Sequence, residues 1–425
     1  MKLKITAVLI TLSILAGCHT SPMKQKPHFQ KTPVLETSSS DWQPMPSTTA
    51  MLLPLSGPQK EVGSALQKAG MLAQFERSGN QMDLLFFDTK GTAEGAKEAY
   101  EQALQSHPDV ILGPVFSAEV EAVAKEDPDI PVLSFTSDNS VLDDNIYTMA
   151  LLIPSQVQRI VDFACESGKR KLAVLGPENK TGELAMNALS NAIKVCPDMT
   201  LEKVSLYTPK TVNFDPAILK IIPTPIDPKK KDLTPEEQIL LSTPMADRLE
   251  FDALFIFEDG VRLQQLISLL SFYDVTPDIV PFYGLSNWQR SKDKNLAGAY
   301  FPTLPTHRYH TFAQNYTEAF GSQPMELAGF AYDAVSLASF LNMQRAMNEN
   351  TLTTPTGYNG VNGYFRFLSD GTNERLLGIS QKTRRGFLPL VTASETFDRP
   401  VFDPLPTPLE PIDSSINTAT SSQIY

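Results

Sequence analysis

The chain has 425 residues, 42% of them hydrophobic and 20% charged, with a formal net charge of −12 at pH 7. So acidic a balance argues against nucleic acid or an anionic membrane surface as the main partner, because both would repel it. Once the polar ends are set aside, about 350 residues remain, more than one hydrophobic core usually serves, so two lobes are expected.

In chain order, Lys2 and Lys4 precede the apolar run from Ile5 to Ile14, and Leu15-Ala16-Gly17-Cys18 follows. This is the order of a signal peptide, with small residues before the cleavage point. The apolar run is well short of the ~20 residues that a membrane-spanning helix needs. Residues 1–17 are therefore expected to be removed, leaving Cys18 with a thiol that carries a diacylglyceryl lipid. Their loss takes away two lysines and moves the formal charge from −12 to −14. His19 stands where many lipoproteins retained in the inner membrane carry Asp. By that resemblance the expected location is the outer membrane, facing the periplasm. Residues 18–47 lack an apolar period and read as a flexible lipidated tether; residues 403–425, with Pro404, Pro406, Pro408 and Pro411, read as a disordered tail.

Between the ends, strand and helix patterns alternate. Ala50–Leu55 is a short apolar strand closed by Ser56-Gly57-Pro58, and Val62–Arg77 has apolar residues at helical spacing. Leu84–Phe87, Val110–Leu112, Pro131–Phe135 and Ile146–Leu151 read as further strands. Helices are predicted over Ala93–Gln105 and from Ser117. The rhythm then restarts with helix Ser155–Ser167, strand Lys171–Leu175, helix Gly182–Val195 and strand Leu201–Leu206. A helix near Ala217, strand Leu254–Phe257, helix Arg262–Phe272 and strand Ile279–Tyr283 complete the second run. Strands that are apolar throughout, separated by amphipathic helices, imply parallel sheets covered on both faces. The predicted fold class is α/β, with two doubly wound parallel-sheet lobes. Residues 223–244, with five prolines and Lys229-Lys230-Lys231, interrupt the second run and read as a solvated insertion loop. Cys165 and Cys196 lie near the ends of predicted helices in one βαβ stretch. They either pair, as an oxidising compartment permits, or stay as buried thiols.

Several segments resemble the type I periplasmic binding proteins of the leucine/isoleucine/valine-binding class. These are Leu53-Pro54-Leu55-Ser56-Gly57, Gly113-Pro114-Val115-Phe116-Ser117, Ile130-Pro131-Val132-Leu133-Ser134 and Ala331-Tyr332-Asp333-Ala334-Val335. Within that class, further segments are similar to the penicillin-binding protein activator lipoproteins. They are Phe135-Thr136-Ser137-Asp138-Asn139-Ser140-Val141, Gln156–Val161, Ala173–Asn179, Gly363–Phe367 and Asp370-Gly371 with Arg375. The resemblance spans about residues 48–392. It implies a first lobe of 48–150 and 300–374 and a second of 151–299 and 375–392, joined by a hinge of three chain crossings near 150, 299 and 374. The larger relatives carry a helical-repeat domain that the tether here is too short to hold.

Lobes of this kind bind between them, at the carboxyl ends of parallel strands where helix N-termini converge. Candidate ligand residues on the first lobe are Ser56, Ser117, Ser134, Thr136, Ser137 and Asp138. Ser117, opening a helix, either offers an anion site for a carboxylate or serves only as a helix cap. On the second lobe, Glu178, Asn179, Glu258 and Asp259 follow strands where a counter-charge for an ammonium group is expected. Glu258 could equally favour the positive end of the next helix. Transport members carry a tyrosine before the glycine that Gly182 resembles. Here the chain reads Glu178-Asn179-Lys180-Thr181-Gly182, which lacks that ring and weakens a branched-chain amino acid pocket.

No nucleotide, hydrolase or zinc-peptidase motif occurs, so no cofactor, metal or catalytic residue is expected. His307 and His310 lack a nearby acidic or cysteine partner and read as surface residues. Glycoside hydrolysis would need two facing carboxylates, for which the sequence gives no sign. The resemblance to the activator lipoproteins, with the lipid tether and the weakened pocket, implies binding and regulation of a penicillin-binding protein as the expected function. The alternative is capture of an amino-acid-like solute for an importer or receptor.

Overall fold

The computed structural model describes residues 47–78, 82–227 and 229–397. The expected signal peptide, lipidated Cys18, all of the tether but Ser47, and the C-terminal tail lie outside these residues. All described residues fall in one compact unit, 46–425. Among them, no helix is long and apolar enough to cross a membrane.

Two sheets organise the chain. The first contains β1 (Ser47–Leu53), β2 (Met82–Asp88), β3 (Val110–Leu112), β4 (Val132–Ser134) and β5 (Ile146–Thr148), in the order β2-β1-β3-β4-β5. All its pairings are parallel. In β1, Met51 and Leu53 join one core cluster and Ala50 and Leu52 another. Successive side chains of a strand point to opposite faces, so an unbroken apolar run is what burial on both faces requires. Helices α1 (Lys60–Ala73) and α2 (Ala93–Leu104) follow β1 and β2 in the chain, and α3 (Ser117–Ala124) follows β3.

The second run supplies α4 (Ile153–Glu166), β6 (Lys171–Pro177), α5 (Lys180–Ala192), β7 (Thr200–Tyr207), α6 (Asp215–Ile218), α7 (Pro235–Ser242), α8 (Met245–Arg248), β8 (Ala253–Ile256), α9 (Gly260–Phe272), β9 (Phe282–Tyr283) and β10 (Tyr300–Thr303). Strands β7-β6-β8-β9-β10 repeat the order of the first sheet and are again parallel. Their alternate residues also divide between two cores: Ala173 and Leu175 in one, Leu172 and Val174 in the other. The expected doubly wound α/β class is thus present twice.

The chain returns to the first lobe with α10 (Thr306–Phe320), α11 (Ala328–Met343) and α12 (Glu349–Leu352). A small antiparallel sheet follows: β11 (Tyr358–Gly360), β12 (Gly363–Phe367) and β13 (Asn373–Arg375). It ends as two antiparallel strands on the second sheet, β14 (Gly378–Thr383) and β15 (Gly386–Val391). Helix α11 is buried almost all round and joins the core beneath β1 and β3.

Three details differ from the sequence reading. Tyr300–Thr303 still pairs with β9 and β14, so the second crossing follows Thr303 and not residue 299. The helix predicted to Arg77 ends as an α-helix at Ala73 and widens into a π-turn over Gln74–Ser78. The 223–244 insertion contains a helix, α7. Thr234 Oγ1 accepts the Glu237 N–H at 3.2 Å, Glu237 Oε2 accepts the Thr234 N–H at 2.9 Å, and Pro235 opens the helix. This reciprocal cap is a local start signal that the count of prolines concealed.

The first and third crossings are stitched together. Asn373 is buried, and its Nδ2 donates to the carbonyls of Thr148 (2.7 Å) and Ala150 (2.8 Å). Arg375, also buried, lies 4.7 Å from the ring centres of both Phe330 and Phe365 and donates to the Met149 carbonyl. Arg159 Nε reaches the Leu377 carbonyl at 3.1 Å. Cys165 and Cys196 form a disulfide, with 6.1 Å between their Cα atoms, which resolves the choice between pairing and free thiols.

Candidate functional site

In each lobe the strand order reverses at one place, and the crevice outside the carboxyl ends there is where such sheets present ligand groups. In the first lobe the reversal lies between β1 and β3, next to Ser56 and Ser117. In the second it lies between β6 and β8, next to Glu178, Asn179, Glu258 and Asp259. Two glycines shape these turns. A Cβ on Gly113, which sits at φ +97°, would come within 2.2 Å of the Leu52 carbonyl oxygen, and one on Gly182 within 1.9 Å of that of Pro177. A side chain at Gly113 would push the end of β3 off β1, and one at Gly182 would push α5 off β6.

On the first lobe, Ser117 and Thr136 meet, their hydroxyls 3.3 Å apart. Ser117 is the first residue of α3, and its hydroxyl does not cap the helix. That role falls to Glu119, whose Oε2 accepts the N–H groups of Val115 (3.2 Å) and Phe116 (3.0 Å) while Oε1 accepts the Thr89 hydroxyl at 2.5 Å. Burial raises the Glu119 pKa and outweighs these donors. Thr136 Oγ1 also accepts the Asp138 N–H at 3.1 Å. Asp138 Oδ1 in turn accepts the N–H and the hydroxyl of Ser140 at 3.0 and 2.6 Å. The Ser140 hydroxyl does most to hold the Asp138 pKa below the ordinary value, helped by the charge of Lys180 and the hydroxyl of Ser117. Asp138 is therefore a carboxylate beside the place proposed for a ligand's carboxylate.

The other first-lobe candidates are placed differently. Ser137 is exposed. Ser56 is exposed and tied to Asp88, whose Oδ1 accepts the N–H groups of Leu55 and Ser56 at 2.9 and 3.1 Å. Burial of Asp88 opposes its ionisation, but the Ser56 hydroxyl and three backbone N–H groups win and hold its pKa low. Ser134 is fully buried and donates to the Tyr147 carbonyl at 3.0 Å. It is the last residue of β4, and the pleat points it into the sheet's packing.

On the second lobe, Asn179 caps α5 by accepting the Gly182 N–H at 3.0 Å, and Glu178 is exposed. Glu258 accepts the Tyr207 hydroxyl at 3.0 Å and Arg262 Nε at 3.1 Å, with only 8% of its side chain exposed. Asp259 accepts Asn287 Nδ2 at 3.1 Å. The expected counter-charge thus already has a cation of its own. Arg262 lies one helical turn beyond Glu258 and packs 5.0 Å from the Phe214 ring centre, a contact that sequence spacing allows but does not reveal.

Two cross-cleft features were not singled out from sequence. Lys180 begins α5 on the second lobe and acts on Asp138 of the first. Arg290 Nη1 pairs with Glu326 Oε2 at 3.1 Å, linking the segment after β9 to the approach to α11. Among the described residues, no group of three or more His, Cys, Asp or Glu is arranged to hold a metal ion, and His307 and His310 are exposed on α10.

Comparison with known proteins agrees with the fold. No curated protein matches the sequence. Solved structures include an ABC transporter substrate-binding protein from Sphaerobacter thermophilus, 18% identical at a TM-score of 0.59, covering 82% of this chain and 97% of that one. The branched-chain amino acid transporter substrate binding protein LivJ from Streptococcus pneumoniae, solved with isoleucine, is 16% identical at a TM-score of 0.54, with 82% and 100% covered. The LpoA (YraM) C-domain from Haemophilus influenzae, a regulator of PBP1A, is 16% identical at 0.58, with 81% and 100% covered. Likenesses this distant show the fold alone. A family model described as periplasmic binding protein matches residues 47–357. The chain therefore belongs to the periplasmic binding protein family.

Proposed function

We propose that this chain is a non-enzymatic envelope lipoprotein, anchored through Cys18 to the outer membrane and facing the periplasm, that binds and regulates a peptidoglycan synthase of the penicillin-binding protein class. The observation that carries this reading is that the chain's own charges already occupy the two places that the ends of an amino acid would take. Arg262 holds Glu258, where an ammonium would go, and Asp138 stands beside Ser117 and Thr136, where a carboxylate would go. An amino acid would have to displace one and face the repulsion of the other, and both cost binding energy. The LpoA C-domain from Haemophilus influenzae, a regulator of PBP1A, shares this fold, as the substrate-binding proteins do. A tether of about thirty residues extends at most ~100 Å, which keeps the partner near the anchoring membrane. The test is affinity capture from a detergent extract of the envelope, followed by glycan polymerisation with the purified synthase. Retention of a penicillin-binding protein and a changed rate are expected; failure of both would end the proposal.

A second reading, solute binding for an importer or receptor, is favoured by the paired hydroxyls of Ser117 and Thr136 at the start of α3. It predicts that some metabolite raises the melting temperature, by the equivalent of ~2.7 kcal/mol at a hundredfold excess over Kd. A broad screen without any shift would remove it.

A further inference from the structure

A cavity lies in the first lobe, and none of the candidate residues of the interlobe cleft lines it. Its volume is about 1070 Å³, and its walls come from the π-turn after α1, from α10, α11 and α12, and from the edge strand β11. Small-molecule sites usually run roughly 300–1,000 Å³. Three of its charged groups, Asp333, Glu76 and Arg77, are committed within the protein, while His307 and Arg308 are exposed in the lining. Asp333 is fully buried and accepts the N–H groups of Val361 (2.6 Å) and Asn362 (3.2 Å). Glu76 accepts the Tyr332 hydroxyl (2.5 Å) and Asn315 Nδ2 (2.8 Å), while Arg77 Nε donates to the same Tyr332 oxygen at 3.3 Å.

Apart from Arg308 and His307, what the walls leave available is neutral. The hydroxyls of Ser336 and Ser339 are buried in the lining without a hydrogen-bond partner, although Ser339 is only 2% exposed. A buried polar atom left in that state costs free energy, which a ligand hydroxyl or amide would recover once the wall shifts to admit it. Exposed amides of Asn350 and Asn359 stand at the wall, and Phe340, 48% exposed, adds an aromatic face. Neutral hydroxyls and amides that both donate and accept, beside an aromatic ring, suit a molecule with many hydroxyls and an apolar C–H face.

We infer that this first-lobe cavity is a second binding site, distinct from the interlobe cleft, and that it takes a neutral saccharide. The inference does not depend on the protein partner proposed above.

The experiment is calorimetric titration of the full chain with the tetramers of N-acetylglucosamine, glucose (β-1,4) and glucose (α-1,4), and separately with an uncharged, end-blocked tetrapeptide. The same titrations are run on Asn350→Ala/Asn359→Ala and on Phe340→Ala. These residues are exposed, so the variants keep the parent's melting temperature. At least one saccharide should bind, and its Kd should rise tenfold or more in both variants. Three outcomes would overturn the inference: no saccharide binding at millimolar concentration, saccharide binding that both variants leave unchanged, or binding of the tetrapeptide alone. Synthase capture is measured independently, so a chain that retains the synthase but no saccharide loses this inference and keeps the functional proposal.

Discussion

Breaking the Cys165–Cys196 disulfide should destabilise the second lobe by an amount that its loop length sets. The two cysteines are 31 residues apart, and the closed loop contains β6 and α5, where the second sheet begins. In the chain-entropy model a loop of that size removes about 12 cal/mol/K from the unfolded ensemble, or about 3.7 kcal/mol at 25 °C. Cys196 is almost fully buried and packs in the core shared by α4 and α5, so replacing it with Ala also removes a small apolar contact. Cys165→Ala/Cys196→Ala should therefore lose roughly 3–4 kcal/mol in urea unfolding. Because two lobes need not unfold together, the loss should fall on one of two transitions, with the other midpoint unmoved. An unreduced digest should yield the two peptides linked. Recovery of both free, or a urea midpoint that dithiothreitol leaves unchanged in the parent, would refute the reasoning.

Three other outcomes can be checked. Asn373→Ala strips two buried carbonyls of their donor at the hinge and should cost about 1–3 kcal/mol in urea unfolding. Burial pushes the Asp333 pKa up to about 6 from an ordinary 3.8, against the pull of Arg375 and two backbone N–H groups. The folded state then holds more protons than the unfolded between those values, so stability falls as pH rises from about 4 through about 6. Glu119 is shifted in the same direction, so the measurement is the difference in slope between the parent and Asp333→Asn, which should be flatter. Arg290→Ala removes an exposed cross-cleft ion pair worth at most about 1 kcal/mol, so small-angle scattering should show more open molecules at low salt and a smaller difference from the parent at high salt.

Much of the architecture was legible in sequence because its signals are local. Ala50, Met51, Leu52 and Leu53 are apolar in unbroken succession, which only a strand covered on both faces requires, and the same pattern at Leu172–Leu175 announced the second sheet. The capping box at Thr234–Glu237 was equally local but was outweighed by proline content. The candidate site was less legible. The sequence placed Ser117, Thr136, Glu258 and Asp259 after strands, as the structure does. It could not say that Glu258 would be taken by Arg262 and Tyr207, or that Ser134 would turn inward to Tyr147.

The sequence by itself determined the doubly wound α/β class, the repetition of that pattern, and a candidate lipidation signal at Cys18, because each is written in neighbouring residues. Tertiary structure alone decided which charges are free. Asn373 meets Thr148 across 225 residues, Arg375 meets Met149 across 226, and the cavity in the first lobe is walled by segments from residue 76 to residue 365. Hydropathy periodicity fixes which face of an element is buried. It carries no information about which distant polar group will be brought within hydrogen-bond reach, and that pairing decides what a cleft has left to offer a ligand.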